Sequence, residues 1–100
     1  MKLVRDKIPE IIRRKGGTPK IQIADNKMYW EFLKKKLLEE VEEFLKEENV
    51  EELADILEVI HTICRFKNWD FEEVENFRAK KRKEKGGFER RIILIGIEEP

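Results

Sequence analysis

The sequence predicts a mainly α-helical protein built on an antiparallel helical hairpin, with further helices and a small β-element near the C-terminus. Apolar residues recur at helical spacing in two neighbouring segments. The first stripe is Trp30, Leu33, Leu37, Val41 and Phe44, and the second is Leu53, Ile56, Leu57, Ile60 and Cys64. A turn near Glu47–Asn49 joins them, and so short a connection makes the two helices antiparallel neighbours. The 100 residues suffice for one domain, residues 1–100.

Local start and stop signals predict the bounds of the hairpin helices. Asp25 or Asn26 is the expected N-cap of the first, which runs to about Glu48. The second covers about Glu51 to Lys67.

Two further helices flank this hairpin. Asp6 is the expected N-cap of a short helix containing Ile8, Ile11 and Ile12, and Gly16–Gly17 follows its end. Asp70 and Glu73 form a capping box for the last helix. That helix is expected to direct its apolar side chains inward and to end at Gly86–Gly87; the side chains are Phe71, Val74 and Phe77.

Two short segments have strand-like patterns. Residues 20–24 alternate apolar and polar side chains, and residues 91–97 are rich in β-branched residues. We expect the two to pair as the small β-element.

Charge is abundant but balanced and segregated. Charged residues make up 44% of the chain, yet the formal net charge is zero, which argues against nonspecific binding to nucleic acid or membrane through bulk charge. Residues 31–58 are strongly acidic, whereas residues 78–91 carry eight Lys and Arg side chains. Two readings stay open, namely an acidic metal site facing a basic phosphate-binding segment and two complementary surfaces of a dimer.

The lone cysteine and the hydropathy pattern bear on location and assembly. Cys64 has no partner for an internal disulfide, which fits a reducing, cytoplasmic setting, and no long apolar run suggests a membrane span or signal peptide. So small a domain would not cover all of its large aromatic side chains by itself, so we expect a homodimer. The side chains in question are Trp30, Phe32, Phe44, Phe66, Trp69, Phe71 and Phe77.

Four carboxylates are expected to converge on one side of the hairpin. Glu40 and Glu43 flank the first apolar stripe, and Glu52 and Asp55 flank the second with the same rotational sense. Both pairs are equidistant from the turn, so Glu43 comes level with Glu52 and Glu40 with Asp55.

Such crowding of like charge is unfavourable without a counter-charge. A hard divalent cation such as Mg²⁺ relieves it, because this ion takes oxygen ligands and substrate phosphates. The alternative is a solvated acidic helix face, with Glu52 acting only as the N3 partner of an Asn49 cap.

These residues carry a resemblance to a known family. The pattern E-E-x-x-E at Glu39–Glu43, followed by E-x-x-D at Glu52–Asp55, resembles the signature of the MazG-like all-α nucleoside triphosphate pyrophosphatases. The stretches K-L-V-R-D-K-I-P-E-I-I from Lys2 and K-R-K-E-K-G-G-F before Glu89 resemble a branch of predicted house-cleaning enzymes, also labelled phosphoribosyl-ATP pyrophosphohydrolase-like. The likeness covers nearly the whole chain.

The resemblance implies a fold, a reaction and a cofactor. The fold would be a MazG-like helical bundle that dimerises. The reaction would be Mg²⁺-dependent hydrolysis of a nucleoside triphosphate between its α and β phosphates, with Mn²⁺ as a substitute ion, which would remove nonstandard nucleotides. The catalytic and metal-binding carboxylates would be Glu40, Glu43, Glu52 and Asp55, with Glu39 beside them.

Cationic groups for the phosphates have several candidates. The family-like segment near the C-terminus offers Lys81, Arg82, Lys85, Gly86 and Gly87, where glycine exposes backbone N–H groups. The alternative for this segment is a glycine helix stop preceded by basic residues that complement the helix dipole. Arg5 and Lys7 form a second pair, which ion pairing explains nearly as well, and Lys36 lies one turn before Glu40.

Two other functions stay open at this stage. Phosphoribosyl-ATP hydrolysis in histidine biosynthesis needs no different carboxylate motif. A noncatalytic dimeric helical module could instead bind a protein or nucleic acid through the basic face of residues 78–91.

Overall fold

A computed structural model describes residues 1–100 and contains four α-helices and no β-strand. Helix α1 spans Ile8–Arg14, α2 spans Asn26–Glu47, α3 spans Val50–Lys67 and α4 spans Phe71–Lys85. The mainly helical class and the order of the helices are therefore confirmed. None of the four helices has the combination of length and apolarity that crossing a membrane requires.

The α2–α3 hairpin is the centre of the molecule and the only extensive helix pair. Each hairpin helix begins at a side-chain cap, because Asp25 accepts a hydrogen bond from the backbone N–H of Met28 (2.8 Å) and Asn49 accepts one from that of Glu52 (3.1 Å). Glu48, in the left-handed backbone region at φ 49°, reverses the chain. A two-residue connection then holds the helices antiparallel.

The apolar core lies between the hairpin helices and is small. Leu33, Val59 and Cys64 are its buried members, with Leu33 only 1% exposed. The prediction that Leu53 and Leu57 belong to the inward-facing stripe of α3 is wrong, since these side chains are 50% and 47% exposed. The inward face of α3 is instead centred on Val59.

Aromatic side chains close the end of the hairpin remote from its turn. The ring of Phe66 meets that of Tyr29 edge-on at 5.0 Å and stacks on that of Trp30 at 6.0 Å, measured between ring centroids. These contacts join the beginning of α2 to the end of α3.

Helix α1 begins one residue later than predicted. Lys7, not Asp6, occupies the N-cap and makes no side-chain capping bond. The backbone N–H of Ile8 instead donates to the carbonyl of Arg5 (3.0 Å), so a backbone turn starts the helix, and Pro9 fits its first turn.

Helix α4 extends from the hairpin with little contact. Asp70 caps it by accepting from the N–H of Glu72 (3.0 Å), and the Phe71 ring stacks on His61 at 3.9 Å. The prediction that Val74 and Phe77 face inward is wrong, because they are 39% and 57% exposed. No other element packs extensively against this helix.

The predicted small β-element is absent. Residues 20–24 and 91–97 form no strand, and residues 92–100 make no backbone–backbone hydrogen bond. A strand is stabilised by a neighbour that pairs its N–H and C=O groups, and this chain places none beside either segment. The side chains of Ile92 to Ile97 consequently stay exposed.

The molecule is long for its size. Its extents are 65 × 31 × 24 Å and its radius of gyration is 18.5 Å, against roughly 13 Å for a compact domain of this length.

Candidate metal and phosphate site

Carboxylates from both hairpin helices meet close to the turn. Glu40, Glu52 and Asp55 each place one carboxylate oxygen within 4.8 Å of the other two. Glu40 is buried at 9% exposure, and Glu52 and Asp55 are half-buried. Glu43, the fourth predicted residue, is exposed and outside this group, although its charge acts on Glu52.

Helix geometry and one cap set this arrangement. Glu52 and Asp55 are three residues apart and therefore lie on one face of α3. The Asn49 cap fixes the first turn of α3 through the N–H of Glu52 itself. The short connection then brings this turn level with Glu40 of α2.

Two cations neutralise part of the cluster. The Lys36 ammonium lies 3.1 Å from a Glu40 oxygen and 3.4 Å from Glu39. The Arg5 guanidinium donates to the Asp55 carboxylate at 2.7 Å. Neither Glu43 nor Glu52 makes a salt bridge, so Glu52 is the uncompensated member of the group of three.

The protonation of Glu52 reflects this imbalance. Partial removal from water raises its pKa above the ordinary value of 4.5, and the neighbouring charges of Asp55, Glu43 and Glu40 raise it further. A bound cation would lower the pKa of this carboxyl, because a positive charge favours its ionised form.

A cavity of about 380 Å³ lies beside the carboxylates. Its lining follows the two helices in a definite order. Going away from the turn, the lining residues on α2 are Glu40, Lys36, Leu33 and Tyr29, and those on α3 are Asp55, Glu58, Val59, Thr62 and Arg65. Leu3, Val4 and Arg5 also line the cavity, and Arg5 pairs with Asp55.

Polar side chains that the sequence reasoning missed also line the cavity. They are Tyr29, Glu58, Thr62 and Arg65. The Thr62 hydroxyl donates to the Glu58 carbonyl oxygen (2.9 Å), and Arg65 pairs with the Glu58 carboxylate (3.1 Å). Stepping by three or four residues along α3 from Asp55 finds three of them, since such positions share a helix face.

The predicted phosphate-binding residues divide into two groups. Arg5 and Lys36 line the cavity, whereas Lys7 and the C-terminal segment do not; that segment is Lys81, Arg82, Lys85, Gly86 and Gly87. Arg82 is engaged by Glu89 at 2.9 Å, and a Cβ on Gly87 would collide with the Arg82 side chain. Within one chain the cationic Arg82 of this segment is thus paired with a neighbouring residue, Glu89. Phosphate binding by the segment stays a prediction.

The donor set favours a hard cation. All the convergent ligand atoms are carboxylate oxygens, with no histidine or cysteine among them. Oxygen donors suit Mg²⁺ or Mn²⁺, whereas zinc prefers sites with nitrogen or sulfur. The neighbouring ammonium and guanidinium groups suit an anionic ligand.

Comparison with known proteins gives one partial similarity. The chain is 54% identical over 41 residues to an uncharacterised protein of Mycolicibacterium smegmatis, a match that covers 41% of this chain and 42% of that protein. No protein-family model matches the chain. No solved structure matches it either.

Proposed function

We propose that the protein is a Mg²⁺-dependent nucleoside triphosphate pyrophosphohydrolase, which releases a nucleoside monophosphate and pyrophosphate. The observation that carries the proposal is the convergence of Glu40, Glu52 and Asp55 beside a cavity in which Lys36 and Arg5 lie next to the carboxylates. The proposal agrees with the resemblance of the carboxylate pattern to the MazG-like pyrophosphatases.

The three carboxylates would hold the metal. Glu52 suits this role because it has no salt bridge, and partial removal from water together with the neighbouring carboxylates raises its pKa. Mg²⁺ bound here would orient phosphate oxygens, neutralise developing charge and lower the pKa of a coordinated water. Glu40, being buried, would keep its oxygen fixed in the site. Glu43 would extend the acidic group toward solvent.

The order of the lining residues along α2 and α3 supports a nucleotide as the ligand. Lys36 and Arg5 next to the carboxylates would bind phosphate oxygens through charge-assisted hydrogen bonds. The apolar floor of Leu33 and Val59 would lie under the sugar, and Tyr29 with Thr62 would meet the base. From Asp55 to Arg65 the helix rises roughly 15 Å, so the phosphates, the sugar and the base would each contact different residues along it.

Two substrate classes follow from this site. Nonstandard nucleoside triphosphates would make the enzyme a house-cleaning one, and phosphoribosyl-ATP would place it in histidine biosynthesis. Both present a triphosphate to the same carboxylates, so substrate turnover decides between them.

We also propose that the chain acts as a homodimer in the cytoplasm. Four residues of the chain are buried, while apolar side chains on the outer faces of the hairpin are exposed, namely Leu38, Leu45, Leu53 and Leu57. A second copy covering such a surface would supply the apolar burial that one chain lacks. The basic end of α4 could then approach the acidic hairpin of the partner.

The experiment is a pyrophosphate-release assay with standard and modified nucleoside triphosphates and with phosphoribosyl-ATP, each with and without Mg²⁺. Mg²⁺-dependent release from any of them supports the proposal, and the best substrate assigns the role. Absence of release from folded protein with metal supplied would overturn it in favour of a noncatalytic binding module.

A further inference from the structure

The N-terminal segment, defined here as residues 2–6, lies across the cavity and is held mainly by side chains. Lys2 approaches Glu39 at 3.7 Å, Arg5 donates to Asp55 at 2.7 Å, and Leu3 and Val4 form part of the cavity wall. Among backbone groups in this segment, only the carbonyl of Arg5 takes part in a backbone–backbone hydrogen bond. The segment's position therefore depends on those two ion pairs and on apolar contact.

The two cations beside the cluster differ in how freely they can leave it. Lys36 is one turn from Glu40 on the same helix, so it stays near the cluster whatever its partner. Arg5 is 50 residues from Asp55 in sequence, and its pair joins two separate parts of the chain. Breaking that pair removes the main polar attachment of the N-terminal segment.

Asp55 has two competing uses. Its Oδ1 accepts from Arg5 in this structure, and the same carboxylate belongs to the group that could hold a divalent cation. A divalent cation concentrates two charges on these oxygens and is attracted by Glu40 and Glu52 as well. A guanidinium bound to Asp55 alone is the weaker competitor.

We propose that Arg5 is a positioning residue which holds the N-terminal segment on Asp55 until a divalent cation takes that carboxylate. The freed guanidinium then binds a phosphate oxygen of the substrate at the edge of the cavity. Metal binding is thereby coupled to release of the N-terminal segment and to formation of the phosphate site. This inference rests on the proposed function, because it requires the carboxylates to bind a metal.

The first test uses Mg²⁺ alone and nuclear magnetic resonance of the full chain. The heteronuclear NOE of the backbone amides of residues 3–6 reports their mobility, and the shifts of the Glu52 and Asp55 amides report metal binding. We expect Mg²⁺ to shift the cluster amides and to lower the NOE of residues 3–6. In an Arg5→Ala variant these amides should be mobile before Mg²⁺ is added.

Arg14→Ala is the matched control, since it removes an arginine that pairs only with Glu10 on α1. It should behave as the wild type in the Mg²⁺ titration. By calorimetry, Arg5→Ala should bind Mg²⁺ several-fold more tightly because no guanidinium competes for Asp55. With Mg²⁺ saturating and the nucleotide concentration varied, Arg5→Ala should raise KM about 10-fold through the lost charged hydrogen bond.

The outcomes separate the two proposals. Mg²⁺ that shifts the cluster amides while residues 3–6 stay as rigid as before overturns the role of Arg5 and leaves the metal site standing. A merely electrostatic effect of Arg5 would also tighten Mg²⁺ binding but would not change that mobility. Failure of the wild type to bind Mg²⁺ overturns the metal site, and the role of Arg5 with it.

Discussion

Glu52 carries the least compensated charge of the cluster. Glu40 has Lys36 and Asp55 has Arg5, whereas Glu52 has no cation and is subject to the charges of four carboxylates, those of Asp55, Glu43, Glu40 and Glu47. Its raised pKa means that the folded protein binds a proton there more tightly than the unfolded chain does. The ionised form of Glu52 therefore opposes folding when no metal is present.

We predict that Glu52→Gln stabilises the metal-free protein at neutral pH. The contribution of Glu52 to the wild-type free energy of unfolding should fall as pH rises from about 4.5, the ordinary value, through the raised pKa of this carboxyl. Glu52→Gln lacks this pH-dependent loss. The difference in free energy of unfolding between the variant and the wild type should therefore grow between about pH 4.5 and the raised pKa, and it should be small at lower pH. Urea unfolding at several pH values with a chelator measures the difference.

Glu42→Gln is the control, because Glu42 is exposed, makes no salt bridge and lies outside the cluster. It should show no such pH-dependent advantage. A Glu52→Gln protein less stable than the wild type at neutral pH would contradict the charge imbalance described here.

Helical spacing predicted that four carboxylates converge, and three of them, Glu40, Glu52 and Asp55, do so, whereas Glu43 lies outside the group. The Arg5–Asp55 pair joins residues 50 apart, and no local pattern specifies which acid an N-terminal arginine will meet. Tyr29 and Thr62 were missed for a different reason. The sequence indicates on which face of a helix each of them lies, but it does not show that the packed helices leave a cavity beside that face.

Helix α3 depends on a cap that also serves the site. Asn49 accepts from the N–H of Glu52, so it fixes the turn that presents a cluster carboxylate. We predict that Asn49→Ala lowers the free energy of unfolding by about 1 kcal/mol and weakens Mg²⁺ binding. Chemical denaturation and calorimetry measure the two effects.

Asp25→Ala is the matched control at the beginning of α2. Asp25 makes the equivalent capping bond to Met28, but it lies roughly 22 Å along the helix from Glu40. This variant should lose similar stability and keep its Mg²⁺ affinity. Equal weakening of Mg²⁺ binding in both variants would show that the cap acts through global stability.

The elements that the sequence predicted well are those defined by local chemistry. The bounds of the hairpin helices follow from Asp25 and Asn49, whose side chains cap within three residues. The β-element failed because pairing needs a partner strand at a distance. The predicted burial of Val74 and Phe77 was wrong for a similar reason, because their apolar spacing does not specify which element packs against α4.

The whole molecule is elongated and buries few side chains. Its radius of gyration of 18.5 Å and its four buried residues describe a hairpin with projecting ends rather than a closed core. The exposed apolar residues include the outer faces of α2 and α3 and the C-terminal segment. This surface is the physical reason to expect self-association.

We predict that light scattering after gel filtration gives about twice the chain mass of 12.1 kDa. Leu38→Lys should shift the protein toward monomer, because Leu38 is 60% exposed and a charge there would oppose apolar burial. Because Leu38 is exposed in the single chain, we expect the substitution to leave the fold unchanged. A monomeric wild type at micromolar concentration would contradict the dimer.

The most direct test of the carboxylate metal site compares Mg²⁺-dependent pyrophosphate release by the wild type, Asp55→Asn and Glu42→Gln. Removal of an outer-shell partner of a metal costs roughly 10- to 100-fold, so loss of a ligand in Asp55→Asn should cost more. Glu42→Gln should keep the wild-type rate, and circular dichroism should show all three folded. Turnover by Asp55→Asn at the wild-type rate, or release that persists after all divalent cations are chelated, would contradict the carboxylate metal site.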